Sequence, residues 1–183
     1  MADYTDNALL ASIKALDNVV RPALDPNDPL ASEQLHLVTG FLKFLRTRLP
    51  HWHSRHLFEL EHYRTMAEHV LNDAQSVSTD LSGRLEAAIS KAKAVEHQDK
   101  AALSEIRSHV AELSMTISAL VRSAADSDTE VRERIEKSIL AHSKQWVDMQ
   151  RSWFAPQGFE LHPEELPPLD AILGPRSRQA GAS

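Results

Sequence analysis

The sequence predicts an all-α protein: an antiparallel bundle of five or six helices closed by a proline-rich C-terminal strap. Three observations carry that prediction. Between Leu81 and Leu120 the apolar residues Leu81, Leu85, Ala88, Ala92, Val95, Ala102, Ile106, Val110, Leu113, Ile117 and Leu120 recur at steps of three and four, the spacing that keeps one helical face against a partner. The stripe has one polar member, Asp99. No proline interrupts the chain from His53 until Pro156, whereas five of the nine prolines fall between 156 and 175, so a long helical region gives way to a segment that cannot continue as helix.

The elements follow in order. A first helix from Asp6 to Leu24 turns Leu9, Ile13, Leu16 and Val20 inward, and Pro22 kinks or ends it. Asp28-Pro29 starts the second helix, a capping carboxylate followed by proline at the first helical position. That helix carries Leu35, Val38, Leu42, Leu45 and Leu49, flanked by Phe41 and Phe44, and stops before Pro50. A third helix carries Leu60, Tyr63, Ala67, Val70, Ala74 and Val77. It ends near Ser76–Asp80, where backbone-competing side chains cluster, or runs on, since Leu81 keeps its phase.

His97-Gln98-Asp99-Lys100 is the next candidate break, with Asp99 as a cap. A single helix over residues 81–121 would reach about 60 Å at 1.5 Å per residue, beyond a compact monomer of this size, and would argue for an oligomer. Ser127 and Glu130 have capping-box spacing. The last long helix then presents Val131, Ile135, Ile139, His142, Trp146, Met149 and Trp153 on one face. Beyond it, Phe159, Leu161, Leu166, Leu169, Ile172 and Leu173 are expected to hold a strap along the bundle, with a helical turn at Leu169–Leu173. The expected organisation is a bundle domain over 1–155, an extended strap over 156–174 and a disordered tail over 175–183.

Composition excludes several classes. The chain has 183 residues, 42% of them apolar, enough for one substantial core. It has no cysteine, which rules out disulfides, thiolate zinc sites, iron–sulfur clusters and cysteine nucleophiles. Its five glycines form neither a dinucleotide fingerprint nor a phosphate-cradling loop. The net charge is −6 and no third of the chain is basic, so the cationic footprint of a nucleic-acid binder is missing. Met-Ala-Asp-Tyr-Thr-Asp has neither a basic n-region nor an apolar run, and no run approaches eighteen apolar residues, so no membrane contact and a cytoplasmic location are expected.

Ten histidines raise the question of metal. Glu-x-x-His occurs at Glu33–His36 and at Glu59–His62, the spacing by which di-iron bundles place a carboxylate and an imidazole on one helical face. His36, however, falls on the polar side of its helix, and the two motifs sit on consecutive helices. These four residues are the fallback metal ligands, and no metal or cofactor is assigned. His51-Trp52-His53-Ser54-Arg55-His56 reads as an exposed polar turn anchored by Trp52. The sharper candidates are polar residues on apolar stripes: His56, Asp99 and His142, with Glu59 one turn from His56. Burying an unpaired polar group costs roughly 1–3 kcal/mol, so a meeting of these four inside the bundle would define a ligand or acid–base site. The ladder Trp146, Met149, Trp153 and Phe154 reads as core. No nucleophilic-serine signature occurs.

Leu9-Leu10-Ala11-Ser12-Ile13 through Val19-Val20-Arg21-Pro22-Ala23-Leu24, followed by Gln34-Leu35-His36-Leu37-Val38, resembles small helical bacterial proteins of unknown function encoded beside aminoglycoside-phosphotransferase-like kinases and acyl-CoA dehydrogenases. The resemblance spans the first fifty residues or so and rests on the spacing around Val-x-Pro-Ala-Leu. It implies an accessory role in acyl-CoA catabolism and transfers no catalytic residue. The function expected from the sequence is a non-enzymatic helical interaction or accessory protein that self-associates as a homodimer and is open to another protein partner. The alternative is an enzyme or small-ligand-binding bundle using the polar cluster, with or without a metal.

Overall fold

The computed structural model describes residues 4–98 and 101–174, and every regular element in it is helical. Helix α1 (Tyr4–Ala15) continues through a π turn at Leu16–Val20 into a last α turn at Arg21–Ala23. Pro22 explains the wide turn: its ring would clash with the carbonyl four residues back, and the strain is relieved by a looser register in which the Arg21 N–H donates to the Leu16 carbonyl. Helix α2 (Pro29–Arg48) begins as the sequence predicts, with the Asp28 carboxylate accepting from the Ala31 N–H at 2.9 Å.

Helices α3 (Trp52–Val77), α4 (Thr79–Glu96), α5 (Leu103–Ala124) and α6 (Thr129–Phe154) form the bundle. The break after α3 is a single extended residue, Ser78, whose hydroxyl caps α4 by accepting from the Leu81 N–H. Residues 81–121 are two helices, so the length that argued for an oligomer is not there. Asp99, proposed as the cap of that break, lies outside the described residues. The predicted Ser127–Glu130 capping box is displaced by one residue, because the Asp128 carboxylate accepts from the Glu130 N–H at 2.8 Å.

Helix α3 is the hub. Helices α4, α5 and α6 all pack closely on it, whereas α5 and α6 touch each other only sparsely. Ion pairs record the antiparallel neighbours: Arg64 and Glu68 of α3 meet Glu96 and Lys93 of α4, Lys91 of α4 meets Glu112 of α5, and Asp73 of α3 meets Arg134 of α6. The main core is aliphatic, built from Leu60, Val70, Leu85, Ile106, Leu113, Leu120, Ile135 and the alanines Ala67, Ala74, Ala88 and Ala92. These small residues let the helices approach. A second core, Phe44, Phe58, Met149, Trp153 and Leu173, lies on another side of α3, toward its N-terminal end.

The strap completes this second core. Helix α7 (Leu169–Leu173) buries Leu173 there, and the Ser152 hydroxyl donates to the Pro167 carbonyl at 3.0 Å. Phe159 and Leu161, which the sequence placed against the bundle, are 82% and 87% exposed. Gly158 turns the chain at φ 81°, a left-handed conformation that suits glycine, and the Arg151–Glu160 pair fixes the strap so that these two side chains face away. The tail expected to be disordered lies outside the described residues.

Helices α1 and α2 form a hairpin with its own small interior, Ile13, Leu35 and Thr39. It joins the rest of the molecule at the C-terminal end of α2. There Arg48, buried and flanked by Phe44 and Trp153, donates to the carbonyls of Trp153 (2.7 Å) and Ser152 (3.2 Å). These acceptors are end-of-helix carbonyls of α6, and the guanidinium both satisfies them and opposes the negative end of the helix dipole. Arg48→Met is therefore expected to lower unfolding stability by about 2–4 kcal/mol, measured by urea denaturation. A loss under about 0.5 kcal/mol, the size of an ordinary surface change, would show that the clamp contributes nothing.

Candidate ligand-binding cleft

Several polar residues are buried or half-buried on the N-terminal half of α3, because that helix is surrounded on several sides and much of what it carries is covered. Ser54 and His62 are buried, and Arg55, His56, Glu59 and Tyr63 are half-buried. Each residue of a helix turns about 100° from the last. His56 and Glu59 thus lie near one face while His62 and His69, seven apart, share another.

The four-residue cluster expected from the sequence is not assembled from its described members. His56 and Glu59 do meet, with Nδ1 3.3 Å from Oε2. Burial pushes the His56 imidazole below its ordinary value, against the opposing pull of the Glu59 carboxylate; Arg55 and Arg107 add to the lowering. His142 belongs to a different group, with ring centroids 4.6 Å from His69 and 6.4 Å from His62. Of the fallback metal ligands, Glu33 and His36 are exposed on α2, and Glu59 and His62 are directed to different surroundings. Among the described residues, the histidine and carboxylate atoms that converge in threes are those of His162, Glu164 and Glu165, all exposed on the strap.

The group that sequence reasoning missed is centred on His62. Its ring stacks on Trp146 (5.2 Å, 25° between planes) and on Phe58 (6.3 Å, 12°), and meets Tyr63 edge-on at 5.4 Å. Phe58 and Trp146 belong to the second core and Met66 to the first, so His62 occupies the seam between the two. It is 5% exposed, and its Nδ1 has no hydrogen-bond partner. Burial, and secondarily the neighbouring His142, push its pKa down to about 4, so the ring is neutral at physiological pH.

A cleft of about 460 Å³ opens beside this ring, where α5 and α6 diverge from their common contact with α3. Tyr63, Met66, Ile117, Ile139 and Trp146 supply apolar wall; Ser114, Ser118 and Ser143 are small enough to leave the space open. Arg122 stands at the cleft as its one charged residue, without an ion pair among the described residues. Burial, with help from Glu59, raises the Tyr63 phenol above its usual range, which keeps its hydroxyl protonated. His62 also borders a smaller cavity of about 230 Å³ with Glu61, Thr65, His142 and Gln145. Met149 and Trp153 of the aromatic ladder are core, as the sequence suggests, but Trp146 borders the cleft.

No protein-family model, curated protein or solved structure matches the chain. The class the geometry defines is an all-α bundle, and no helix among the described residues is long and apolar enough to cross a membrane.

The depressed His62 value has a thermodynamic consequence. An unfolded histidine protonates near pH 6.5, whereas folded His62 resists protonation until about 4. Its contribution is complete above pH 6.5 and is lost as the pH falls through about 4, because the unfolded chain gains the proton first. Wild type should lose roughly 3 kcal/mol more than His62→Phe across that window, read from urea denaturation at a series of pH values. Parallel pH slopes for the two proteins would contradict the neutral burial of His62.

Proposed function

We propose that this protein binds a small amphipathic organic anion in the cleft between α3, α5 and α6, and does so without catalysing a reaction. One observation carries the reading: a histidine that is 5% exposed, with Nδ1 unpartnered, beside a cleft large enough for a small molecule. Buried polar atoms are nearly always satisfied, and an unpartnered imidazole in the wall of a ligand-sized space supports a ligand there. The aromatic and aliphatic walls fit an apolar body. Arg122 fits its charged end, since no carboxylate lines the cleft. His62 and Tyr63 supply neutral hydrogen-bonding groups. The Ser114 and Ser143 hydroxyls donate to the Ala111 and Ile139 carbonyls, and among the described residues no cleft serine is hydrogen-bonded to His62, which favours binding over catalysis. The acyl-CoA setting implied by the N-terminal resemblance would be one source of such anions.

The probe for this reading is 4-phenylbutyrate, with 4-phenylbutanol as its uncharged counterpart, in titration calorimetry. The carboxylate should bind at one site at least fivefold more tightly than the alcohol. Arg122→Gln should abolish that preference, and Ser118→Trp should block both ligands. Ser118 and Arg122 are exposed, so neither substitution threatens the fold. Binding that survives Ser118→Trp, or no binding to wild type, overturns the proposal.

A separate observation favours self-association as a second property. Leu30, Leu37, Val38 and Phe41 of α2 are each at least half exposed and, with Gln34, form an uncharged strip along one side of that helix. A strip of this kind is self-complementary across a two-fold axis, and a second copy is its simplest occupant. The exposed Gly40 beside it lets another helix approach closely. Sedimentation should show a dimer that Leu37→Glu/Phe41→Glu converts to monomer. A wild-type monomer at about 100 μM, far above the range of stable complexes, would refute the interface.

A further inference from the structure

We propose that His69 and His142 form a two-imidazole site for a divalent transition-metal ion such as Cu²⁺, Ni²⁺ or Zn²⁺, bridging α3 and α6. The tautomers come first. His69 Nδ1 lies 2.7 Å from the Thr65 carbonyl and His142 Nδ1 lies 2.8 Å from the Ser138 carbonyl. A carbonyl oxygen only accepts, so in both rings Nδ1 carries a hydrogen and Nε2 is the nitrogen left to bind a metal. Histidines that bind metals are commonly held this way, with the second nitrogen donating to a main-chain carbonyl that fixes the ring and raises its basicity.

The spacing comes second. A metal about 2.0–2.1 Å from two imidazole nitrogens, with an angle between them of about 90–109°, holds the ring centroids roughly 4.5–5.2 Å apart. The His69 and His142 centroids are 4.6 Å apart with the rings tilted by 59°. Two imidazole rings from different helices thus already have the centroid separation that adjacent ligands of one ion require. His69 is exposed and His142 half-buried, so water reaches the pair and can fill the remaining coordination positions. Imidazole with water suits copper, nickel and zinc in preference to magnesium or calcium.

His97 provides the internal comparison. It makes the same bond to the carbonyl four residues back, at 2.6 Å to Lys93, but among the described residues no imidazole ring is paired with it. Among the described residues, only the pair across α3 and α6 combines the tautomer with a partner. The site is independent of the cleft ligand proposed above, although His142 also touches His62, and a bound ion would tie α6 to α3 along one side of the smaller cavity.

The test is Cu²⁺ binding to the full-length protein after chelator treatment, followed by electron paramagnetic resonance and calorimetry. Wild type should bind one equivalent with hyperfine structure from two nitrogens. His69→Ala and His142→Gln should each weaken that binding at least tenfold, with helicity unchanged in circular dichroism. His97→Ala and His162→Ala, the second removing the exposed strap group, should leave it intact. Since His69 is exposed, its substitution tests the site even if His142→Gln disturbs packing. Affinity unchanged in His69→Ala, or lost in His162→Ala instead, overturns the proposal.

Discussion

Helix α3 is enclosed by α4, α5 and α6, and the rest of the molecule depends on how that enclosure is satisfied. A helix covered on several sides must be apolar on several sides or must bury polar groups. Its C-terminal half takes the first course with Met66, Ala67, Val70 and Ala74, all buried and close-packed. Its N-terminal half takes the second, and each polar residue there is accommodated differently. His56 has Glu59 beside it, and Arg55 lies over the face of Trp153 at 4.6 Å. His62 has aromatic rings around it but no partner for Nδ1. A carboxylate at that position would demand a counter-charge. A histidine can shed its proton and stay as a neutral aromatic ring, which is the state that burial favours.

The same division produces the two cores and the cleft. The aliphatic core along α3 is drawn together by alanines, whereas the aromatic core beside its N-terminal part needs help from outside the four helices. Phe44 and Arg48 reach it from α2, and Leu173 reaches it from the strap. Between the two cores, Ser114 and Ser118 on α5 face Ser143 and Trp146 on α6 across space that larger apolar residues would have filled. The cleft is therefore written into residue size as much as into helix direction.

Much of the architecture was legible because stripe periodicity reports burial directly. Leu81, Leu85, Ala88, Ala92 and Val95 are buried, as are Ile106, Val110, Leu113, Ile117 and Leu120. The exception is informative. Ala102, a member of the stripe, is exposed while its neighbour Ala101 is buried, so the phase slips at the turn between α4 and α5. A register of threes and fours cannot reveal whether it crosses a turn, and this is why one helix and two remained alternatives. In α2 the stripe through Val38 and Leu42 was off by part of a turn, because Thr39 and Arg48 are buried there and Val38 is not. Local hydrophobicity does not register a threonine inside a two-helix interface or an arginine that caps another helix.

The site was legible only in part, for a related reason. Asking which polar residues interrupt an apolar stripe singles out His142, whose ring lies near His62 and His69, and singles out His56 but not His62, because one apolar stripe of α3 does not report the other. A second one, Phe58–His62–Met66 at steps of four, is present in the sequence and is buried throughout. Two apolar stripes on one helix are the signature of a hub, and a histidine within the second is the stronger candidate. The central claim is that the space beside this histidine is where a ligand sits. Nuclear Overhauser contacts between bound 4-phenylbutyrate and the protein test it most directly. The account predicts contacts from the ligand's ring to Tyr63, Ile117 and Trp146; contacts confined to Leu30, Leu37 and Phe41, or to Phe159 and Leu161, would contradict it.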